Sequence, residues 1–197
     1  SWDSVCRSVG HAVNWGLAHR DLSGVTAVGV DEIAWRKGHN YLTLVYDISG
    51  DVKRLLAVAE ERTEASLRGC LATLGTSICR QIAFVCSDMW RPYLNVIGEE
   101  LPRAVHVLDR FHVMQQFGKA LDVIRAEEQR QLKRDGYEPV LKHSRWCLLK
   151  RPENLTDRQT VKLSELVRYN LRSVRAYLLR EDFQRFWGYA SPTWAGK

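Results

Sequence analysis

The stretch VTAVGVDEIAW, residues 25–35, decides the fold, because it has the composition of an apolar β-strand that delivers a carboxylate, Asp31, at its end. A second apolar run, QIAFVCSDMW at residues 81–90, ends in the same way on Asp88. A carboxylate at the end of a buried strand is costly unless it meets water, a cation or a hydrogen-bond donor. Two such strands from distant parts of the chain can bring two carboxylates to one point, as in metal sites for phosphoryl transfer. In the alternative interpretation, each Asp caps the turn or helix that follows it.

The elements predicted before residue 110 follow the order β-β-β-α-β-α-β. The first three strands are joined by connections too short to cross over, which predicts an antiparallel meander. Helices separate the later strands, which predicts parallel pairing with right-handed crossovers. This mixed α/β order is ribonuclease-H-like, with a central first strand that pairs with the fourth, so Asp31 and Asp88 would converge on one sheet edge. The predicted ranges are 25–35, 40–49 and 52–61 for the meander, then 63–75 (helix), 78–88 (strand), 91–101 (helix) and 103–109 (strand).

Helices are predicted for the remainder of the chain. One runs from about residue 110 to residue 134 and ends at Asp135–Gly136, and its apolar face contains Met114, Phe117, Leu121 and Ile124. A capping box, Thr156-x-x-Gln159, opens a further helix whose apolar stripe is Leu163, Leu166, Val167, Leu171, Val174 and Leu178. We therefore predict three segments: an N-terminal helical segment at 1–20, the first part of a ribonuclease-H-like core at 21–112, and an all-helical basic segment at 113–197.

The net charge of +6 is unevenly distributed. Residues 1–109 carry 11 basic and 13 acidic side chains, whereas residues 110–197 carry 18 basic and 10 acidic ones. Of the 29 basic residues 21 are Arg, the side chain suited to bidentate phosphate contacts. A solvated helical surface and a polyanion-binding face both fit this pattern.

Several classes of protein are excluded by the composition. A hydrophobic content of 45% with seven Trp supports a packed core rather than a disordered chain. No apolar stretch approaches the roughly 20 residues of a membrane span, and no signal-peptide pattern is present. The five cysteines are odd in number and lack CxxC spacing, which is typical of reduced core thiols in a cytosolic protein.

A third acid, Asp109, ends the fifth predicted strand, and His112 follows it in the word LDRFHV. Asp109 could be a further ligand of the strand-end site, could position the ligands of that site without binding the metal itself, or could cap the helix that starts there. His112 alone is more typical of a packed or surface histidine than of a metal ligand.

Several sequence motifs resemble motifs of the DDE transposases of bacterial insertion sequences, and they occur in the same order as in that family. Among these transposases the resemblance is to the ISL3 family. The resemblance runs from about residue 20 to the end of the chain. These motifs are GVDEIAWRKGHNYLTLVYD (29–47), SDMWRPY (87–93), LDRFHV (108–113), SRWCLLKRPENLT (144–156) and RAYLLREDF (175–183).

The resemblance implies a function and a site. Asp31 and Asp88 match the first two catalytic, metal-binding residues of the family's Asp-Asp-Glu triad, which holds two Mg²⁺ (or Mn²⁺) ions. The family places the Glu after a helical insertion that residues 113–197 resemble, and no word of the expected kind occurs before Lys197. The implied activity is DNA cleavage and strand transfer, and the fragment alone is expected to be inactive.

The same resemblance implies partners and a location. The partner is double-stranded DNA, as transposon ends and target, and the full-length protein is expected to form homo-oligomers in the bacterial cytoplasm, associated with the nucleoid and without a membrane. The basic residues expected to contact the DNA backbone are Arg36, Lys37, Arg110 and Arg145. A non-catalytic DNA-binding or assembly remnant of a decayed transposase would carry the same words and remains the alternative.

Overall fold

The computed structural model describes residues 1–191 and Thr193, and it divides into two compact units. The first unit, Ser1–Asp109, contains every described strand, and the second unit starts at Arg110. The strands are β1 (Ala27–Arg36), β2 (Asn40–Asp47), β3 (Arg54–Glu60), β4 (Phe84–Ser87) and β5 (Val105–Leu108). The helices are α1 (Trp2–His19), α2 (Glu64–Leu74), α3 (Thr76–Gln81), α4 (Arg91–Glu100), α5 (Arg110–Arg134), α6 (Arg145–Leu149), α7 (Asp157–Leu166) and α8 (Arg172–Gln184), with 3-10 turns at Pro152–Asn154 and Arg185–Gly188.

The sheet has the order β3-β2-β1-β4-β5, which confirms the mixed α/β, ribonuclease-H-like topology. Strands β1, β2 and β3 pair antiparallel as a meander, while β4 pairs parallel with β1 and β5 pairs parallel with β4. The carboxyl ends of β1, β4 and β5 therefore share one edge of the sheet. Strand β2 is antiparallel to β1 and β3 is antiparallel to β2, so β3 runs in the same direction as β1. The carboxyl end of β3 therefore lies at this edge as well.

One face of the sheet is covered by α2 and α4. Val28 and Val30 of β1, Val45 of β2 and Val85 of β4 are buried against Leu67 and other apolar residues of these helices. Helix α2 begins at Thr63, whose hydroxyl accepts the N–H of Ser66 at 3.0 Å, and ends at Gly75, whose φ of 86° suits glycine. The helix predicted at 63–75 is thus confirmed.

The other face of β1 carries a close approach that requires a glycine. Gly29 lies opposite Tyr46 in the β1–β2 ladder, and a Cβ atom on Gly29 would overlap the ring of Tyr46. Because Gly29 has no side chain, the Tyr46 ring can lie against the central strand β1, two residues before Asp31. The glycine in the word GVDE is therefore a packing requirement of this sheet face.

The strand predicted at 78–88 is wrong in its first half. Residues 76–81 form α3, and β4 starts only at Phe84. The side-chain amide of Gln81 donates to the carbonyl oxygens of Leu22, Ser23 and Val25 at 2.9–3.1 Å. These bonds tie the end of α3 to the loop before β1, so the apolar run enters the sheet later than its composition indicated.

The second unit confirms the helix from residue 110 to residue 134 and the capping box. The Thr156 hydroxyl accepts the Gln159 N–H, and the Gln159 side chain accepts the Thr156 N–H. The single helix predicted through the stripe 163–178 is wrong, because α7 ends at Leu166 and α8 begins at Arg172.

The break between α7 and α8 has a physical cause. Glu128 of α5 is 8% exposed, and its carboxylate accepts the backbone N–H groups of Arg172 and Ser173 at 2.7 and 2.9 Å. It also accepts the Ser173 hydroxyl at 2.6 Å. A carboxylate at these N–H groups starts a new helix, since it satisfies donors that a continuous helix would direct to its own preceding turn.

Helix α1 confirms the predicted N-terminal helix, and none of its residues is buried. Among the described residues, no helix is long and apolar enough to cross a membrane.

We predict that Glu128→Ala destabilises the helical unit by about 2–4 kcal/mol, because three donors at the start of α8 lose a charged acceptor. Urea unfolding followed by circular dichroism, with hydrogen exchange of α8 amides, measures the effect. The neighbouring exposed Glu127 gives the matched control, and Glu127→Ala is expected to change the free energy of unfolding by less than about 0.5 kcal/mol. Equal effects of both changes would contradict the capping role.

We also predict that Gly29→Ala destabilises the sheet unit by about 1–3 kcal/mol through overpacking against Tyr46. In a Tyr46→Ala background, the same change is expected to cost less than about 0.5 kcal/mol, since the ring is gone. Gly69→Ala in α2, where a Cβ meets open space, is expected to be neutral or stabilising. Denaturant unfolding of the four variants would contradict the contact if Gly29→Ala cost the same with and without the ring.

Candidate metal centre

Three aspartates lie within or directly after the parallel strands of the sheet. The last parallel pairs are Gly29 with Cys86 and Ser87 with Leu108. Asp31 lies two residues beyond Gly29 in the middle of β1, which stays paired with β2 as far as Arg36, so the prediction that Asp31 ends its strand is wrong. Asp88 and Asp109 directly follow the last residues of β4 and β5. The Asp109 N–H donates to the Ser87 carbonyl at 2.8 Å and so continues the β4–β5 ladder.

Asp88 has two firm hydrogen-bond donors. Its Oδ1 accepts the Trp90 N–H at 2.9 Å, which fixes the turn into α4, and its Oδ2 accepts from Nη2 of Arg62 at 2.9 Å. The side chain is 12% exposed. Asp88 therefore has the turn-capping role as well as a position at the strand ends.

Arg62 links two carboxylates at this edge. Its Nη1 lies 3.0 Å from Glu32 Oε1, its Nη2 binds Asp88, and its guanidinium carbon lies 4.3 Å above the ring centre of Trp90. Its Nε is buried and has no hydrogen-bond partner within the described part of the chain. The guanidinium is thus held in place by two ion pairs and a stacked indole.

Sequence reasoning missed Arg62 because it belongs to no motif. It lies two residues after β3, in the loop before α2. The signal that could have found it is topological, since in a β1–β2–β3 meander the third strand ends at the same sheet edge as the first. A basic residue just after β3 is then a neighbour of the strand-end acids.

Asp31 and Glu32 lie on opposite faces of β1, as the strand alternation predicts. Glu32 is on the helix-covered face with Arg62. Asp31 is on the face of Tyr46 and Cys86, and its Oδ1 accepts the Glu32 N–H at 2.8 Å.

The negative charge of Asp31 raises the pKa values of two neighbouring groups. Burial raises the pKa of the Cys86 thiol, and the carboxylates of Asp109 and Asp31 raise it further. Burial also raises the pKa of the Tyr46 phenol, with Asp31, Cys86 and Asp109 adding to the effect. Asp31 and Asp109 therefore both act on the space beside Cys86 and Tyr46.

A buried polar network supports the site from the helix-covered face. The hydroxyls of Thr43 and Tyr93 are 2.7 Å apart, and Thr43 donates to the carbonyl of Glu61 at 2.7 Å, which anchors the residue before Arg62. Burial raises the pKa of Tyr93 to about 12, so its hydroxyl stays protonated. His106 hydrogen-bonds the Ser87 hydroxyl at 2.8 Å, and burial lowers the pKa of its imidazole while Asp88 opposes that shift.

These donors fit a hard divalent cation. Mg²⁺ prefers oxygen ligands and is commonly held by one or two carboxylates together with substrate phosphates and water. Asp31 supplies one carboxylate from the middle of β1, and Asp88 supplies another just after the neighbouring strand β4. Among the described residues, no group of three or more His, Cys, Asp and Glu side chains is arranged to hold a metal.

The remaining predicted residues lie elsewhere in the two units. Arg36 is five residues beyond Asp31, about 17 Å along an extended strand, and stacks on Trp35 at 4.3 Å, with Lys37 in the turn that follows. In the helical unit, Arg110 lies 5.0 Å from the ring of Trp187, and His112 contacts the ring of Phe111. Arg145 pairs with Asp122 at 3.0 Å.

Comparisons with known proteins agree on a family. A family model for DDE transposases of the ISL3 type, described as a transposase, matches residues 28–197. The chain is 33% identical over 177 residues to the transposase for insertion sequence element IS1001 of Bordetella parapertussis, an alignment that covers 89% of this chain and 43% of that protein. It is 32% identical over 185 residues to the transposase for insertion sequence element IS1557 of Mycobacterium tuberculosis, covering 83% and 41% respectively. The chain thus spans less than half the length of these relatives.

One solved structure is also similar, the catalytic core domain of BIV integrase. The alignment covers 75% of this chain and all of that one, at 13% identity and a TM-score of 0.32. At that score the fold assignment rests on the observed strand order and not on this similarity.

We predict that Arg62→Met raises the affinity of the sheet edge for Mn²⁺ by about threefold or more, because a cation that competes for Asp88 and Glu32 is removed. Isothermal titration with Mn²⁺ measures the change. Arg68 offers the matched control, since it also bridges two carboxylates, those of Glu99 and Glu100, on the helices α2 and α4. Arg68→Met is expected to leave Mn²⁺ binding unchanged, and a weaker affinity in Arg62→Met would contradict the competition.

Proposed function

The chain belongs to the ISL3 family of insertion-sequence transposases, and on that premise we propose that the protein cleaves DNA phosphodiesters and joins the resulting strands during transposition. One observation supports the proposal: β1 pairs parallel with β4, so the strand that carries Asp31 lies next to the strand that Asp88 follows. These are the two positions that the family resemblance assigns to catalysis.

In this proposal Asp31 and Asp88 hold divalent metal ions, Mg²⁺ or Mn²⁺. When bound, such ions polarise the phosphate and favour ionisation of the attacking hydroxyl. The protein's own contribution is positional. The Trp90 N–H and Arg62 orient the Asp88 carboxylate, while the Glu32 N–H orients that of Asp31.

The substrate in this proposal is double-stranded DNA, as transposon ends and target, in the bacterial cytoplasm. Charge supports that choice, because residues 110–197 carry 18 basic and 10 acidic side chains. A polyanion would be attracted to such a unit and would reach the strand-end carboxylates only with cations between them. We further propose that the full-length protein acts as a homo-oligomer, since cutting and joining two transposon ends requires two sites.

A second candidate function is DNA binding without catalysis. It is favoured by the contacts of Asp88, whose two oxygens already accept from Trp90 and Arg62. A carboxylate kept for structure alone would have these same partners.

We predict that Asp31→Asn and Asp88→Asn each lower DNA cleavage by the full-length protein about 10³-fold or more, since each removes a charge that would hold the metal. Duplex binding should persist in both variants. Cleavage of a duplex that carries the element's ends is measured with Mg²⁺, with Mn²⁺ and with chelator. Asp51→Asn, at an exposed acid in the β2–β3 loop, is the matched control and is expected to cleave normally.

The outcomes separate the two functions. Metal-dependent cleavage that both Asn variants lose supports the transposase. Duplex binding with no cleavage by the unaltered protein supports the non-catalytic candidate. Full cleavage by either variant would exclude that residue as a metal ligand.

A further inference from the structure

The helical unit contains a groove along one face of α5. Its volume is about 680 Å³. The α5 residues that line it recur every three or four positions from Phe111 to Arg130, so they form a single stripe about 28 Å long. The opposite wall is made by α6, by Arg151 and by Arg180 of α8.

The groove is strongly cationic. Five basic and two acidic side chains line it, which gives a net charge of +3. The basic residues are Lys119, Arg130, Arg145, Arg151 and Arg180, and the acidic ones are Asp122 and Glu127.

The cations of the groove differ in how far their charge is already compensated. Arg145 shares Asp122 with Arg125, at 3.0 and 2.7 Å, so that carboxylate is fully engaged. Within the described residues, Lys119 and Arg130 form no ion pair, and Arg151 is only 3.9 Å from the exposed Glu153. Three exposed cations therefore remain available to an external anion.

The buried side chain of Arg180 holds the wall opposite α5 in place. This side chain is 8% exposed, and its two Nη atoms donate to the carbonyls of Leu148 and Leu149 at 3.0 and 3.2 Å. Arg180 thus holds the end of α6, and with it Arg145 and Arg151, against α8. The spacing across the groove is set by buried packing rather than by flexible surface side chains.

The basic stripe continues past this groove. A neighbouring depression of about 490 Å³ shares Glu127 and Arg130 and adds Lys133 and Arg134. Lys133 and Arg134 lie in the last turn of α5, where the helix dipole favours positive side chains. Their presence is therefore explained without a ligand. The dipole does not explain Lys119, because it lies in the middle of α5.

From this arrangement we propose that the α5 groove binds the sugar–phosphate backbone of DNA. The inference rests on the proposed function and assigns to one surface the DNA contact that the proposed function requires. Lys119, Arg130 and Arg151 contact phosphates, and the apolar lining residues Met114, Val123 and Leu149 face the sugars.

The dimensions of the groove suit this ligand. Lys119 and Arg130 are 11 residues apart, which is about 16 Å along a helix. Over that distance one strand of B-DNA presents on the order of five phosphates. Three cations on this length can each meet a different phosphate, and none of the contacts depends on base sequence.

The test uses the full-length protein and fluorescence anisotropy with a labelled random-sequence duplex over a range of KCl concentrations. The groove variant carries Lys119→Gln, Arg130→Gln and Arg151→Gln. It is expected to bind at least tenfold more weakly at 0.1 M KCl, and its slope of log affinity against log salt should be shallower by about 2–3, since three phosphate contacts are lost. The salt slope is a readout that misfolding alone does not shift by this amount, and circular dichroism checks the fold.

The control variant carries Lys142→Gln, Arg158→Gln and Arg168→Gln, which are exposed residues of the same unit outside the groove. It loses the same charge, and its affinity is expected to fall less than twofold. An equal loss in both variants would show that net charge matters and not the groove. An unchanged slope in the groove variant would also overturn the proposal.

These outcomes are distinct from failure of the proposed function. If the unaltered protein cleaves DNA and needs Asp31, while the groove variant binds normally, the function stands and the groove assignment is wrong. If the unaltered protein neither binds nor cleaves duplex DNA, both fail together.

Discussion

Carboxylates that gather at one sheet edge repel one another, and the sheet unit assembles several of them there. Asp31 lies within β1, Asp88 and Asp109 directly follow the parallel strands β4 and β5, and Glu32 is adjacent to Asp31 in sequence. Arg62 lies among them and binds Glu32 and Asp88 at 3.0 and 2.9 Å. The strand-end site depends on this guanidinium, because it compensates the charge that the β-sheet register concentrates. The Thr43–Tyr93–Glu61 hydrogen bonds and the stacked Trp90 in turn hold Arg62 where that charge lies.

The two units differ in the sign of the charge that they concentrate. The sheet unit collects negative charge at one edge, where only cations can neutralise it. The helical unit carries an excess of positive charge, and Lys119 and Arg130, which form no ion pair among the described residues, lie along α5 opposite the wall that Arg180 holds. On the proposed function, a polyanionic substrate with divalent cations would complement the charge of each unit. On the proposed function, this charge distribution favours a nucleic acid over a small neutral ligand.

Local patterns predicted most of the fold, and tertiary contacts account for the errors. The meander followed from connection lengths, and the parallel strands followed from the intervening helices. The composition of residues 78–83 could not reveal α3, because Gln81 bonds to a loop almost sixty residues earlier. Likewise, nothing in the stripe 163–178 indicates that Glu128 ends one helix and starts another. At the site, Asp88 was correctly predicted just after a strand, whereas the end of β1 was predicted too early at Asp31 because its pairing with β2 continues to Arg36. Arg62 became visible only through the direction of β3.

The strength of the Arg62 ion pairs bears on how the site would work. Two unit charges 3 Å apart at an effective dielectric constant of about 20 attract by roughly 5 kcal/mol before desolvation is counted. A divalent ion offers Asp88 twice the charge, yet it must give up water to bind, and Mg²⁺ does so reluctantly. On the proposed function, Asp88 would hold a divalent ion that polarises a DNA phosphate, and the phosphate would offer Arg62 another anionic partner. Arg62 would then move from a carboxylate to a phosphate without ever losing an anionic partner. The ion pairs that compensate the charge of Glu32 and Asp88 would thereby make metal binding depend on substrate.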